Sequence, residues 1–217
     1  MATPEIPGLD AIMEQARAAL AAKHAAREEA LPLCREVIRL SATGIRATHR
    51  DQFDEARRLL GEATEVLRQI DRTLAGHPDV FYGGPVLDAQ KEHAEAAITL
   101  ALVTGAALPG PDDLAVDPAA YLNGLGEAVG ELRRYLLDSL RDGDLARCER
   151  YLRAMDEIYD ALVTIDYPDA VTNGLRRTTD VARGILERTR GDLTVAARQS
   201  DLERRLQEFA ARLPPAP

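Results

Sequence analysis

Glu92 and Glu95 stand three residues apart, and about thirty residues downstream Glu127 and Glu131 stand four apart, so each pair shares one face of a helix. Two acidic pairs on neighbouring helices offer a set of oxygen donors of the kind that holds a hard divalent cation. Cleavage of a phosphodiester with a divalent metal needs such a set, to hold the ion and to orient or activate water. The second pair lies among Gly124, Gly126 and Gly130. Each glycine inside a helix costs roughly 1 kcal/mol relative to alanine, so three beside two acids require a reason, and close approach of another group is one. The competing reading is a solvated polar face. Leu122, Leu125, Val129, Leu132 and Leu136 form one apolar stripe, and Glu127 and Glu131 project from the opposite side. His93, between the first two acids, reads as an ordinary surface residue rather than a ligand.

A second group suited to chemistry is basic. Arg35, Arg39, Arg46 and Arg50 follow one another at steps of four, seven and four and share one face of a helix. At 1.5 Å per residue they extend over roughly 22 Å, a track that suits the phosphates of a nucleic-acid strand, and Arg57 and Arg58 could continue it. No ladder of aromatics accompanies the track, so contact with phosphates rather than stacking on bases is expected, with weak sequence selectivity. The alternative is a helix face balanced by Glu28, Glu36, Asp54 and Glu55.

The elements that must carry these residues are helical. Leu9 to His49 reads as helix with a break or kink at Pro32, and Asp51 caps a second helix that runs to about Ala75. A third helix, opened by Pro85, runs to about Ala107 and carries the first acidic pair. The Pro-, Gly- and Asp-rich stretch from Pro109 to Pro118 is a loop, and a fourth helix from about Ala119 to Arg141 carries the second pair. Asp142, Gly143 and Asp144 separate it from a fifth helix ending near Ile165, and the last long helix starts at Asp166-Tyr167-Pro168. Short turns and the absence of any strand pattern predict an all-α antiparallel bundle of about six to seven helices, forming a single domain over residues 1–217 with flexible ends at 1–8 and 213–217. A repeat architecture fails, because nothing recurs at a fixed period.

Composition agrees with this reading and narrows the function. Aromatics make up 4% of the 217 residues and tryptophan is absent, which disfavours sheet. Cys34 and Cys148 match no metal or redox spacing and read as reduced thiols. No leader pattern opens the chain and no apolar run reaches membrane-spanning length, so a soluble, cytoplasmic protein without membrane attachment is expected. A net charge of −9 argues against non-specific nucleic-acid binding over the whole surface, while leaving room for a local basic track.

Three segments together resemble the translin/Trax family, and in particular its prokaryotic Trax-like members. They are Lys91-Glu92-His93-Ala94-Glu95-Ala96, the stretch from Tyr121 to Leu132 with Asp142 and Asp144 downstream, and the stretch from Tyr167 to Leu193 with Arg176, Arg177, Asp180, Arg183, Glu187, Arg190 and Asp192. The resemblance covers about residues 31 to 208 and implies a translin-like bundle of about seven helices. It implies assembly into a hollow, closed homo-oligomer, most commonly an octamer, whose inner wall takes single-stranded RNA or DNA. It also implies Mg2+-dependent endoribonuclease activity, with Mn2+ as a possible substitute, in which Glu92, Glu95, Glu127 and Glu131 serve as metal ligands and catalytic groups. The arginine stripe then becomes a phosphate contact facing the cavity. The alternative within the family is a translin-like protein that binds single-stranded nucleic acid without cutting it. Two positions depart from the family pattern: Glu127 stands where some active members carry aspartate, and His93 where an aromatic is common.

Overall fold

The computed structural model describes residues 6–212. Nine helices follow one another, six of them long, and there is no strand among the described residues. The long helices are α1 (Leu9–Thr48), α2 (Phe53–Leu74), α4 (Gly84–Thr104), α6 (Pro118–Arg141), α7 (Leu145–Leu162) and α9 (Leu175–Ala210). Single-turn helices α3 (Pro78–Phe81), α5 (Pro111–Leu114) and α8 (Asp169–Thr172) lie in three of the connections. The all-α antiparallel bundle expected from the sequence is therefore the observed architecture. The expected flexible ends fall largely on residues 1–5 and 213–217, which lie outside the described residues.

The helix boundaries follow from local chemistry. Asp117 caps α6 by accepting a 2.8 Å hydrogen bond from the Ala119 amide, with Pro118 in the first turn where its missing N–H costs nothing. Asp144 caps α7 in the same way, accepting from the Arg147 amide at 2.9 Å. Asp51 is not the cap of α2 that its residue type suggests. It holds a left-handed backbone (φ 58°) in the turn from α1, and the helix starts two residues later. Pro32 does not break α1 either. The helix continues through it, because Pro32 and Glu28, whose carbonyl loses its partner, both sit on the solvent side, where the freed carbonyl is not sealed in the core. The last long helix begins later than Asp166: α8 and a left-handed pair, Asn173 and Gly174, precede it.

α4 is the centre of the bundle. It packs on α1 and α6, α2 closes over α1, and α7 and α9 pack on the far side of α6. Between Ala89 and Ala101 its buried positions are broken only at Lys91, Glu92 and Glu95, and Leu67, Ile70, Leu132, Leu136 and Met155 add to the core of the bundle. Helix α1 is buried only from Ala30 onward, and α9 only as far as Leu193. Both helices thus extend beyond the core.

Two glycines of α6 serve this packing. A Cβ on Gly124 would lie 2.7 Å from the carbonyl oxygen of Lys91 and 2.8 Å from the amide nitrogen of Glu95, both backbone atoms of α4. A Cβ on Gly126 would lie 2.5 Å from Cγ2 of Thr178 on α9. The reason for Gly124 and Gly126 is therefore helix contact on two sides of α6, whereas a Cβ on Gly130 would meet only Cδ1 of Ile185 at 3.9 Å and no contact requires that glycine.

Candidate metal centre

The close approach at Gly124 brings α4 and α6 together at the turn that carries the acids. Carboxylate oxygens of Glu92, Glu95 and Glu127 lie within 4.8 Å of one another, all three partly buried. Oxygens sharing one Mg2+ at about 2.1 Å stand at most about 4.2 Å apart, so small side-chain rotations close the set. An all-oxygen, anionic, partly desolvated donor set of this kind suits Mg2+ or Mn2+ rather than a softer ion.

The electrostatics of the three acids differ. Lys91, on the same turn, donates to Glu127 at 2.9 Å and lies 3.7 Å from Glu92. Burial opposes the charge of its ammonium, but its hydrogen bond to Glu127 and the fields of Glu127 and Glu92 outweigh that and raise its pKa. Burial likewise raises the Glu92 carboxyl, with Lys91 pulling it back. Glu95 has no ion pair among the described residues. Burial first, then the fields of Glu127, Glu92 and Glu131, pushes its pKa up to about 8. A carboxyl in that position is poised to exchange its proton for a cation.

The structure brings together three of the four expected acids. Glu131 lies one turn beyond Glu127, and its carboxylate is held by the imidazole of His49, at the end of α1. That hydrogen bond keeps its pKa below the usual range. The His49 ring stacks on Tyr135, centroids 4.3 Å apart. Glu131 therefore contributes its field to Glu95 and stands outside the cluster. His93, expected at the surface, is fully buried, with Nε2 2.9 Å from the Thr64 hydroxyl of α2 and its pKa lowered to about 4 by burial. It is a core residue.

Glu95 and Glu127 open onto a cavity of about 650 Å3 between α4, α6 and α9. Asp88, Lys91, Glu95 and Glu127 form one wall, and Arg177, Thr178, Val181 and Ile185 of α9 form the other. Asn123 joins the two walls, donating to the Thr172 carbonyl at 2.9 Å and accepting from the Thr178 hydroxyl at 2.6 Å. None of Arg35, Arg39, Arg46 and Arg50 lines this cavity. All four are exposed on the side of α1 away from its buried residues, where Glu36 holds Arg39 through two bonds of 2.8 and 2.6 Å and the Thr43 hydroxyl accepts from Arg46. Sequence reading missed Lys91, His49, Asn123 and Arg177 as parts of the site. Lys91 was open to inference, since it stands four residues before Glu95 on the same helix face. Nothing local to His49 or Arg177 points to Glu131 or to the cavity.

A six-long-helix bundle with a carboxylate cluster opening onto an inter-helix cavity defines the class, and comparison with known proteins defines the family. No protein-family model matches the chain. It is 35% identical over 190 residues to the uncharacterized protein MJ0175 of Methanocaldococcus jannaschii, covering 87% of this chain and 84% of that one. Among solved structures it is similar to AfC3PO, with 38% identity, a TM-score of 0.78 and coverage of 85% of this chain and 96% of that chain, both alone and in complex with duplex RNA. NeC3PO in its apo form shares the fold, with a TM-score of 0.74 at 20% identity. The chain belongs to the translin/Trax family.

Proposed function

We propose that this protein is a Mg2+-dependent endoribonuclease of the Trax type, with Glu92, Glu95 and Glu127 holding the metal. The observation that carries this reading is the convergence of three carboxylates, Glu92, Glu95 and Glu127, within reach of one ion, two of them, Glu95 and Glu127, lining a cavity of about 650 Å3. A protein of purely structural design has no reason to keep such a group. The similarity to AfC3PO, solved with duplex RNA, supports RNA as the ligand. When bound, a divalent cation supplies Lewis acidity toward a phosphodiester and lowers the pKa of water. Glu92, Glu95 and Glu127 would hold it in place and Lys91 keeps Glu127 oriented, while Glu131, engaged by His49, acts on the centre through its field on Glu95.

Self-association fits the exposed apolar surface. Val195, Leu202, Leu206 and Phe209 form one stripe on the projecting part of α9, and Leu9, Ile12, Met13 and Leu20 another on α1. Burial of these stripes between copies would build a homo-oligomer, for which the family resemblance suggests a closed octamer, and the arginine stripe of α1 then offers further phosphate contacts outside the catalytic cavity.

One observation favours a second reading. The Lys91 ammonium already lies beside two of the three carboxylates, as in a protein that binds nucleic acid without a metal. The test is cleavage of end-labelled RNA, single-stranded and duplex, with Mg2+ or EDTA, beside Glu127→Ala protein purified in parallel. Cleavage that needs Mg2+ and is lost in the variant supports the nuclease. Binding that survives EDTA without cleavage under any metal supports the binder. The raised Glu95 carboxyl adds a pH signature. Because the metal must displace its proton, affinity for Mn2+ should rise about ten-fold per pH unit up to about pH 8 and then level off. Calorimetric titration with Mn2+ across that range, in buffers of different ionisation heat, measures both the slope and the proton released. A flat profile would show that Glu95 is not a ligand.

A further inference from the structure

We propose that Arg177 is the phosphate-contact residue of the metal centre, holding the RNA strand across the cavity from the carboxylates. This rests on the metal-site reading above and adds the group that attracts the substrate. The argument starts from charge. A divalent cation and Lys91 together only balance Glu92, Glu95 and Glu127, and Asp88 on the same wall leaves the region negative. A phosphodiester entering such a region meets the metal but no net positive charge unless a further cation faces it. The opposite wall supplies one, since Arg177 is the cation that α9 contributes to the lining.

Its neighbours are already engaged and Arg177 is not. Arg176 lies 3.5 Å from Asp166, outside the cavity, and Asp180 is taken by Arg183 at 3.6 Å. Among the described residues no carboxylate pairs with Arg177. A guanidinium kept out of ion pairs and facing a cavity is suited to bidentate binding of phosphate.

The position of Arg177 is also built rather than incidental. The next residue, Thr178, is locked to α6 twice, by its hydroxyl bond to buried Asn123 at 2.6 Å and by contact with Gly126. Asn123 in turn ties down the Thr172 carbonyl at the end of α8. The first turn of α9 is thus registered against the same helix that carries Glu127. Val181 and Ile185, one and two turns along, give the cavity an apolar side on which a ribose or base can rest.

The experiment compares Arg177→Ala, Arg177→Lys and Arg176→Ala with the parent protein. A fluorescein-labelled, unstructured single-stranded RNA is titrated by anisotropy with Ca2+ in place of Mg2+, over a range of salt concentrations. Arg177→Ala should weaken binding about ten-fold and reduce the slope of log affinity against log salt by about 0.7, the loss of one phosphate contact on a single strand. Arg177→Lys should restore the slope but only part of the affinity, and Arg176→Ala should match the parent. Mn2+ binding and melting temperature should be unchanged in all three. An Arg177→Ala protein that binds RNA with the parent's affinity and slope, or that loses RNA and Mn2+ together, would overturn the assignment. The two readings separate through Glu127→Gln. Cleavage retained there would sink the metal site and this inference with it, whereas an inactive Glu127→Gln beside a fully RNA-binding Arg177→Ala would sink this inference alone.

Discussion

Glu95→Gln should lose RNA cleavage by about 100-fold or more while making the protein more stable. The two effects have one cause. Glu95 is a carboxyl whose charged form is opposed by burial and by three neighbouring acids. Its pKa of about 8 lies above that of an unfolded glutamate, so the folded protein holds this proton more tightly than the unfolded chain does. The contribution of Glu95 to stability is therefore fully present below about pH 4.3 and is lost as pH rises toward 8. Glutamine has nearly the same shape and no charge to desolvate. In EDTA it should raise stability by about 1 kcal/mol at pH 8, or about 2–4 °C in melting temperature for a chain of this length, with almost no gain at pH 4.5. Thermal melts at the two pH values, run beside a cleavage assay, decide the matter. Activity and stability that fall together would make Glu95 a structural residue and remove it from the metal site.

Gly124→Ala should have the opposite stability effect. The added Cβ would lie within 2.8 Å of two backbone atoms of α4, and backbone cannot step aside as a side chain can. Helix propensity favours the alanine by about 1 kcal/mol, but forcing α4 and α6 apart costs about 3 kcal/mol or more, so a net loss of about 2 kcal/mol is expected. Gly61→Ala on α2, where nothing lies within 4 Å, isolates the propensity term and should stabilise by up to about 1 kcal/mol. Because the contacted atoms belong to Lys91 and Glu95, Gly124→Ala should also weaken Mn2+ binding, while Gly61→Ala leaves it unchanged. Denaturant melts and Mn2+ titrations of the two variants test this. Equal stability of both would mean that the helices are not held at the separation seen at Gly124.

The glycines show where local reading stops. That glycines inside one helix need a reason is a statement about propensity, and it holds for Gly124 and Gly126. Which reason applies is a statement about what lies opposite, and Lys91, Glu95 and Thr178 are distant in sequence. His93 is a similar case. A histidine between two acids looks solvated when only its neighbours are read, but α4 is covered by α1, α2 and α6, so the spaces between the acids are interior. Glu131 illustrates the limit of periodicity. The spacing places it on the Glu127 face of α6, yet one helical turn and a hydrogen bond from His49 are enough to separate the two roles.

The sequence by itself determined the helical architecture, the order and approximate limits of the long helices, the two acidic pairs and the family, because each of these depends on residues close together along the chain or on a specific pattern. The tertiary structure alone decided which acids meet, that Lys91 and not His93 stands among them, and that Arg177 faces them. Those depend on the distance between helices and on their rotation, which are set by where side chains are missing or small on two surfaces far apart in sequence. At Gly124 that distance is short enough to put the carboxylates of α4 and α6 within reach of one ion.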